Sequence, residues 1–183
     1  RRALAGAARR AAAEDSVLAA EAATGAPADG TVIANGTVAA EGTEEIVALV
    51  WFECDAGLAR VTAEIARGRG ALARQRGRTC LAVFAAGRSS DQPARAAVAA
   101  ASRLLAAWGG RAALHVDRVI LRPRDGLAPV AYGAAVDRPE EWLPVGPWAG
   151  LVLTREMADA IGDLAVVPAE PPGFFAPAGA RAP

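Results

Sequence analysis

Arg74, Arg76 and Arg78 alternate along one short stretch that runs into the apolar segment Leu81–Phe84, and Glu53 closes an earlier apolar run, Ile46–Phe52. These are residues that could handle charge. A guanidinium presents five N–H donors and no acceptor, so it can hold a phosphate but cannot ligate a cation. A carboxylate at a strand end either serves a site or lies solvated. Arg67, Arg69, Arg74, Arg76 and Arg78 can equally be read as a solvated arginine-rich loop. Arg67-Gly68-Arg69-Gly70 suggests RNA contact only weakly, because the chain is neutral and no aromatic residues interleave with its arginines. His115 is the only histidine and falls mid-strand, where a packed side chain is the expectation. Cys54, Cys80 and His115 lack a fourth ligand and a recognisable spacing for a metal centre.

These residues sit on elements that the hydrophobic pattern outlines. Ile46–Phe52 is a continuous apolar run, as expected of a strand buried on both faces. Residues 58–75 carry helical spacing through Leu58, Val61, Ile65 and Leu72, weakened by Gly68 and Gly70. Leu81–Phe84 is a second strand. Asp91 is a good cap for a helix reaching about Trp108, with Pro93 in its first turn and Gly109-Gly110 past its end. Ala112–Val116, Val119–Leu121 and Leu127–Ala131 read as strands, the last after a Pro123-Arg124-Asp125-Gly126 turn. Asp137-Arg138-Pro139-Glu140 resembles a capping box at a helix start. Gly150–Leu153 is a late strand, Thr154 caps a short helix, and Leu164–Val167 adds a strand. Trp142 and Trp148 flank Pro144 and Pro147 as packing or interface residues. The resulting order, β-α-β-α-β-β-β-α-β-α-β, predicts an α+β fold with helices mainly on one face of a sheet.

Of the 183 residues, 53% are hydrophobic and 22% charged, with zero formal net charge, so the chain can bury a core and has no bulk attraction to nucleic acid. Every basic residue is Arg, and Ala makes up about a quarter of the chain, which is the bias of a GC-rich bacterial genome. No apolar run approaches the ~20 residues needed to cross a bilayer. Charges at Arg9, Arg10, Glu14 and Asp15 interrupt the Ala-rich start, which argues against a signal peptide. Two cysteines suit a reduced, cytoplasmic protein. Residues 1–43 are expected to form an Ala-rich helix and a linker in which Asn35-Gly36 permits a hairpin. Residues 44–168 form the main domain, and 169–183 a loosely ordered Pro-rich tail.

Arg76-Gly-Arg-Thr-Cys-Leu-Ala-Val-Phe84, the helix start at Ser89–Pro93, Leu114-His115 and Tyr132-Gly-Ala-Ala-Val-Asp137 follow one another in the order and rough spacing of class III nucleotide cyclases. The chain resembles a degenerate member of that family. The resemblance implies a ferredoxin-like palm with a mixed or antiparallel sheet. It also implies two aspartates on neighbouring strands that hold two Mg²⁺ ions against a triphosphate. The first of those positions falls on Glu53 and the second on Arg78. Beside Glu53, Arg78 would supply the charge a metal brings, an attraction on the order of 4 kcal/mol at ~4 Å before desolvation. The base-selecting Lys falls near Arg74 and its acidic or Thr counterpart near Val130. The transition-state Asn falls on Asp137, and the Arg four residues on falls on Glu141. Losing one donor aimed at transition-state charge costs ~10²–10³ in rate.

The reading that follows is a catalytically inactive cyclase homology domain, without cofactor or metal. It would be a regulatory or interaction module in bacterial signalling, as a homodimer or beside a neighbouring signalling domain. Two alternatives are a metal-independent nucleotide or phosphate sensor using Arg74 and Arg78, and an active cyclase with unusual residues.

Overall fold

The computed structural model describes residues 42–87, 92–125 and 127–179. Its strands are β1 (Thr43–Glu53), β2 (Ala71–Arg76), β3 (Thr79–Ala85), β4 (Arg111–Arg124), β5 (Leu127–Tyr132), β6 (Gly150–Leu153), β7 (Val166–Pro168) and β8 (Phe175–Pro177). They form one sheet in the order β2-β3-β1-β4-β6-β8-β7, with β5 paired to β4. The helices are α1 (Leu58–Arg67), α2 (Pro93–Trp108), the single-turn α3 (Ala134–Asp137) and α4 (Arg155–Ala160).

β1 lies between β3 and β4 and is antiparallel to both, so that Val50 stands opposite Ala82 on one side and Leu114 on the other. Val47, Ala48, Leu49 and Val50 have no exposed surface. That explains the unbroken apolar run, since a central strand covered on both faces has no solvent side on which to place polar residues. Phe52, Phe84 and Leu114 share one face with Val61 and Ile65 of α1, Ala97, Ala101 and Leu104 of α2, and Met157 of α4. The other face carries Val47, Leu49, Leu81 and Val119, and is covered by Ala135, Val136 and Trp142. The longer helices therefore lie on one face of a mostly antiparallel α+β sheet, as the sequence predicts; the β4–β6 pair is parallel.

Four expectations are corrected. The helical reading of residues 58–75 fails after Arg67, and β2 instead forms a hairpin with β3, with Leu72 opposite Ala82. Arg69 has φ 61°, and Gly70 lies so close to the Phe84 ring that a Cβ would collide with it, so the chain turns here. Leu72 keeps the seven-residue interval from Ile65 by coincidence. Second, Asp137 ends α3 and does not start a helix; a 3₁₀ turn, Pro139–Glu141, follows. Pro139 disfavours helical geometry at Arg138, which adopts φ −128° and ψ 63°.

The two strands expected around Asp117 are one continuous strand, β4. Finally, the tail read as loose contributes β8, which pairs with β7 and, through Phe175, with Leu153 of β6. Pro93 in the first turn of α2 and the glycines beyond Trp108 stand as read, while Asp91 and the Asn35-Gly36 hairpin fall outside the described residues.

Gly110 sets the junction between α2 and β4. Its φ is +95°, and a Cβ would run into the Glu53 carbonyl oxygen. Gly110→Ala is expected to lose about 2 kcal/mol or more of stability in urea denaturation, and a neutral substitution would contradict this account of the junction.

Candidate functional site

The last residue of β1 meets the first of β4: Glu53 stands directly opposite Arg111. Arg111 donates to one carboxylate oxygen of Glu53 from both Nε, at 2.9 Å, and Nη2, at 2.7 Å. The same guanidinium lies over the rings of Trp51, at 5.5 Å, and Trp148, at 5.2 Å. The two rings pack on each other, with centroids 5.8 Å apart, so the guanidinium rests against a tryptophan pair while hydrogen-bonded to a carboxylate. Trp148 is thus part of this contact.

The expected Glu53–Arg78 pair does not form. Strand alternation sends Glu53 to the face of Trp51, where it meets Arg111 across the β1–β4 register. Arg78 lies in the turn between β2 and β3, where its Nη2 is 2.6 Å from Asp55 in the loop after β1. Both partners are largely exposed, so this pair contributes little to stability. Asp55 was missed in the sequence because nothing there shows that the loop after β1 reaches the hairpin turn. Arg111 was missed because the β1–β4 register is not local information.

Arg74 and Arg78 line different cavities. Arg74 and Arg76 share one of about 170 Å³ with Trp51, Thr79, Asp137 and Glu140. Arg74 Nη1 donates to the Asp137 carbonyl at 3.1 Å and, at 3.4 Å, to that of Val136, so its charge pins α3 to β2. Arg78 lies in a separate space of about 120 Å³ with Cys54, Asp55, Gln75 and Cys80. Val130, opposite Arg122 on β5, is outside the cavity of Arg74, and Glu141 is ion-paired with Arg138. Asp137 and Arg74 are therefore brought together, while Arg78, Glu53 and Glu141 are dispersed.

Cys54 and Cys80 are buried and unbridged, and burial, followed by the nearby Cys54, pushes the Cys80 thiol up. Among the described residues, no three His, Cys, Asp or Glu side chains gather in a way that could hold a metal ion.

His115 is packed, as expected. Its ring stacks on Trp142 at 5.1 Å, and its Nδ1 is 3.0 Å from Thr154 Oγ1, the hydroxyl that caps α4. Trp142 donates its indole N–H to the Ala135 carbonyl at 2.9 Å, which places it in the core.

Solved structures with this arrangement of strands and helices carry a common description. The guanylyl cyclase Cya2 superposes with TM-score 0.54 at 14% identity, over 77% of this chain and 95% of that one. The chain has the nucleotide cyclase fold. A monomeric guanylyl cyclase domain from the aquatic fungus Blastocladiella emersonii gives 0.56 at 12% identity, over 74% of this chain and 96% of the domain. A bacterial light-regulated adenylyl cyclase gives 0.53 at 13%, and this chain spans 54% of its length. No family model and no curated protein matches the sequence. The cyclase fold is thus recognisable at identities where the side chains at individual positions are free to differ.

Burial pushes the His115 imidazole below its ordinary value and outweighs Glu156 and Asp117, which pull it upward. The unfolded chain therefore binds this proton at higher pH than the folded one. The stability involved is complete above about pH 6.5 and is lost as pH falls through the folded value. His115→Gln should flatten the slope of stability against pH just below about 6.5 in urea denaturation. An unchanged slope would remove His115 as its cause.

Proposed function

We propose that this domain is a nucleotide cyclase homology domain that does not turn over nucleoside triphosphates and serves as a regulatory or protein-interaction module in bacterial signalling. The observation that carries this reading is the pairing at the end of β1. Glu53 is held by Arg111, and Asp55 by Arg78, the residue of the Gly77-Arg78 turn.

Two divalent cations do not fit these side chains. A metal at Glu53 would have to displace a guanidinium packed against two tryptophans, and Arg78 offers only donors. Its positive charge would repel an incoming ion. Asp137 places a carboxylate where the family pattern has an amide and would face a polyphosphate with the wrong sign, and Glu141, where the pattern has a guanidinium, is paired with Arg138 and lines a different cavity. We therefore derive no catalytic step through a metal.

Phosphate sensing by Arg74 and Arg78 draws less support, because the two line separate cavities and each already has partners. Ile46, Ile120 and Tyr132, exposed on one face of neighbouring strands, offer apolar surface for a second copy or an adjoining domain. Zero net charge gives no pull toward nucleic acid. Among the described residues no helix is long and apolar enough to cross a membrane, and we place the domain in the cytoplasm.

Purified protein incubated with ATP or GTP and either Mg²⁺ or Mn²⁺ should yield no cyclic nucleotide by chromatography, and metal-dependent turnover would overturn the reading. Arg78→Asp alone should not restore activity, since Val130, Asp137 and Glu141 remain. Nucleotide binding that survives EDTA would favour the sensor instead.

A further inference from the structure

We propose that the cavity between β4, the start of α4 and the 171–174 loop is a binding site for a small organic cation with an apolar body. At about 650 Å³ it is well above the spaces around Arg74 and Arg78. Of the family positions, Glu141 lines it, whereas Glu53, Arg74, Arg78 and Asp137 do not. The inference therefore does not rest on the pairing of Glu53 and Arg78 with their partners.

The cavity has a firm floor. His115 and Trp142 stack there, and each has a hydrogen bond that fixes its ring, to Thr154 and to the Ala135 carbonyl respectively. Leu143, Phe174 and Val145 add apolar wall. Val145 is 100% exposed, so an aliphatic side chain stands wholly in water beside a concave surface. Covering it with the apolar body of a ligand is favourable.

Charge selects the head group. Asp117, Glu141 and Glu156 line the cavity against a single arginine, Arg155, whose guanidinium is turned over the Phe175 ring at 4.8 Å. Glu141 shares its carboxylate with Arg138, and Asp117 accepts from the backbone N–H of Arg118. Glu156 lies 3.7 Å from His115 Nδ1 and within reach of the charge of Arg155. Hydrogen bonds from its own backbone N–H and from Thr154 help keep it ionised. His115 adds no positive charge at neutral pH, since burial holds it below its ordinary value. The lining is thus aromatic and aliphatic at its base and anionic around it, which complements an ammonium or guanidinium on an apolar stem.

Calorimetric titration of the full chain with phenethylamine, and separately with phenylacetate, tests this, because the two probes share a ring and differ in charge. Phenethylamine should saturate one site per chain, with phenylacetate weaker by about tenfold or more. Glu156→Gln should weaken the amine by roughly five- to tenfold. Val145→Arg, at a fully exposed position that the fold tolerates, should weaken it similarly by setting a cation at the mouth. Equal affinity for the two probes, saturation by neither, or an amine affinity untouched by Val145→Arg in a folded protein would each overturn the proposal.

Discussion

The contact between Glu53 and Arg111, with a packed pair of tryptophans against the guanidinium, is where the sheet's architecture and its chemistry meet. β1 is covered on both faces for most of its length, so polar groups emerge only where the strand runs out. At that boundary a carboxylate is half withdrawn from water and must find a partner. Register places Arg111 directly across from it. Gly110 brings the two backbones close enough for the pair to form, and Trp51 and Trp148 close over the charge. Removing one member of such a half-buried pair leaves the other charge uncompensated, which costs more than the pair contributes when intact. Charge at the mouth of the sheet is thus settled within the chain.

On the proposed reading, that arrangement accounts for a cyclase fold kept without cyclase turnover. The sheet and helices are fixed by apolar runs, small helix-packing alanines and a few glycines, and many sequences satisfy those requirements. Superposition on cyclase domains at 12–14% identity is the expected result. The positions that would hold ions and phosphate are surface positions at strand ends and turns. They can be rewritten without disturbing the core, and here arginines occupy that region. The charge of Arg74 goes to backbone carbonyls at the end of α3, where it ties a short covering segment to the sheet.

Much of this was legible in the sequence. Ile46–Phe52, Leu81–Phe84 and the helix before Gly109-Gly110 declare themselves through hydrophobic pattern and glycine placement, and the order of elements led to the fold class. The hairpin strand β2 was hidden because Ala71–Arg76 has little apolar alternation and sits at the sheet edge, and because Leu72 falls in phase with the preceding helix. β8 was hidden in a Pro- and Gly-rich stretch whose order comes from pairing with distant strands. At the site, residue types were readable but partners were not. Glu53 was assigned to Arg78, whereas register gave it to Arg111 and left Arg78 to Asp55. Pairing across a sheet depends on which strands are neighbours, and local sequence does not carry that.

The claim on which the functional account rests is that arginines of this chain occupy the charge balance at the end of β1 in place of divalent ions. Titrating the protein with Mn²⁺ and following free ion by electron paramagnetic resonance tests it directly. The account predicts that the free-ion signal rises as in buffer, with no saturable site. A saturable Mn²⁺ site that disappears on Asp55→Asn or Glu53→Gln would contradict it.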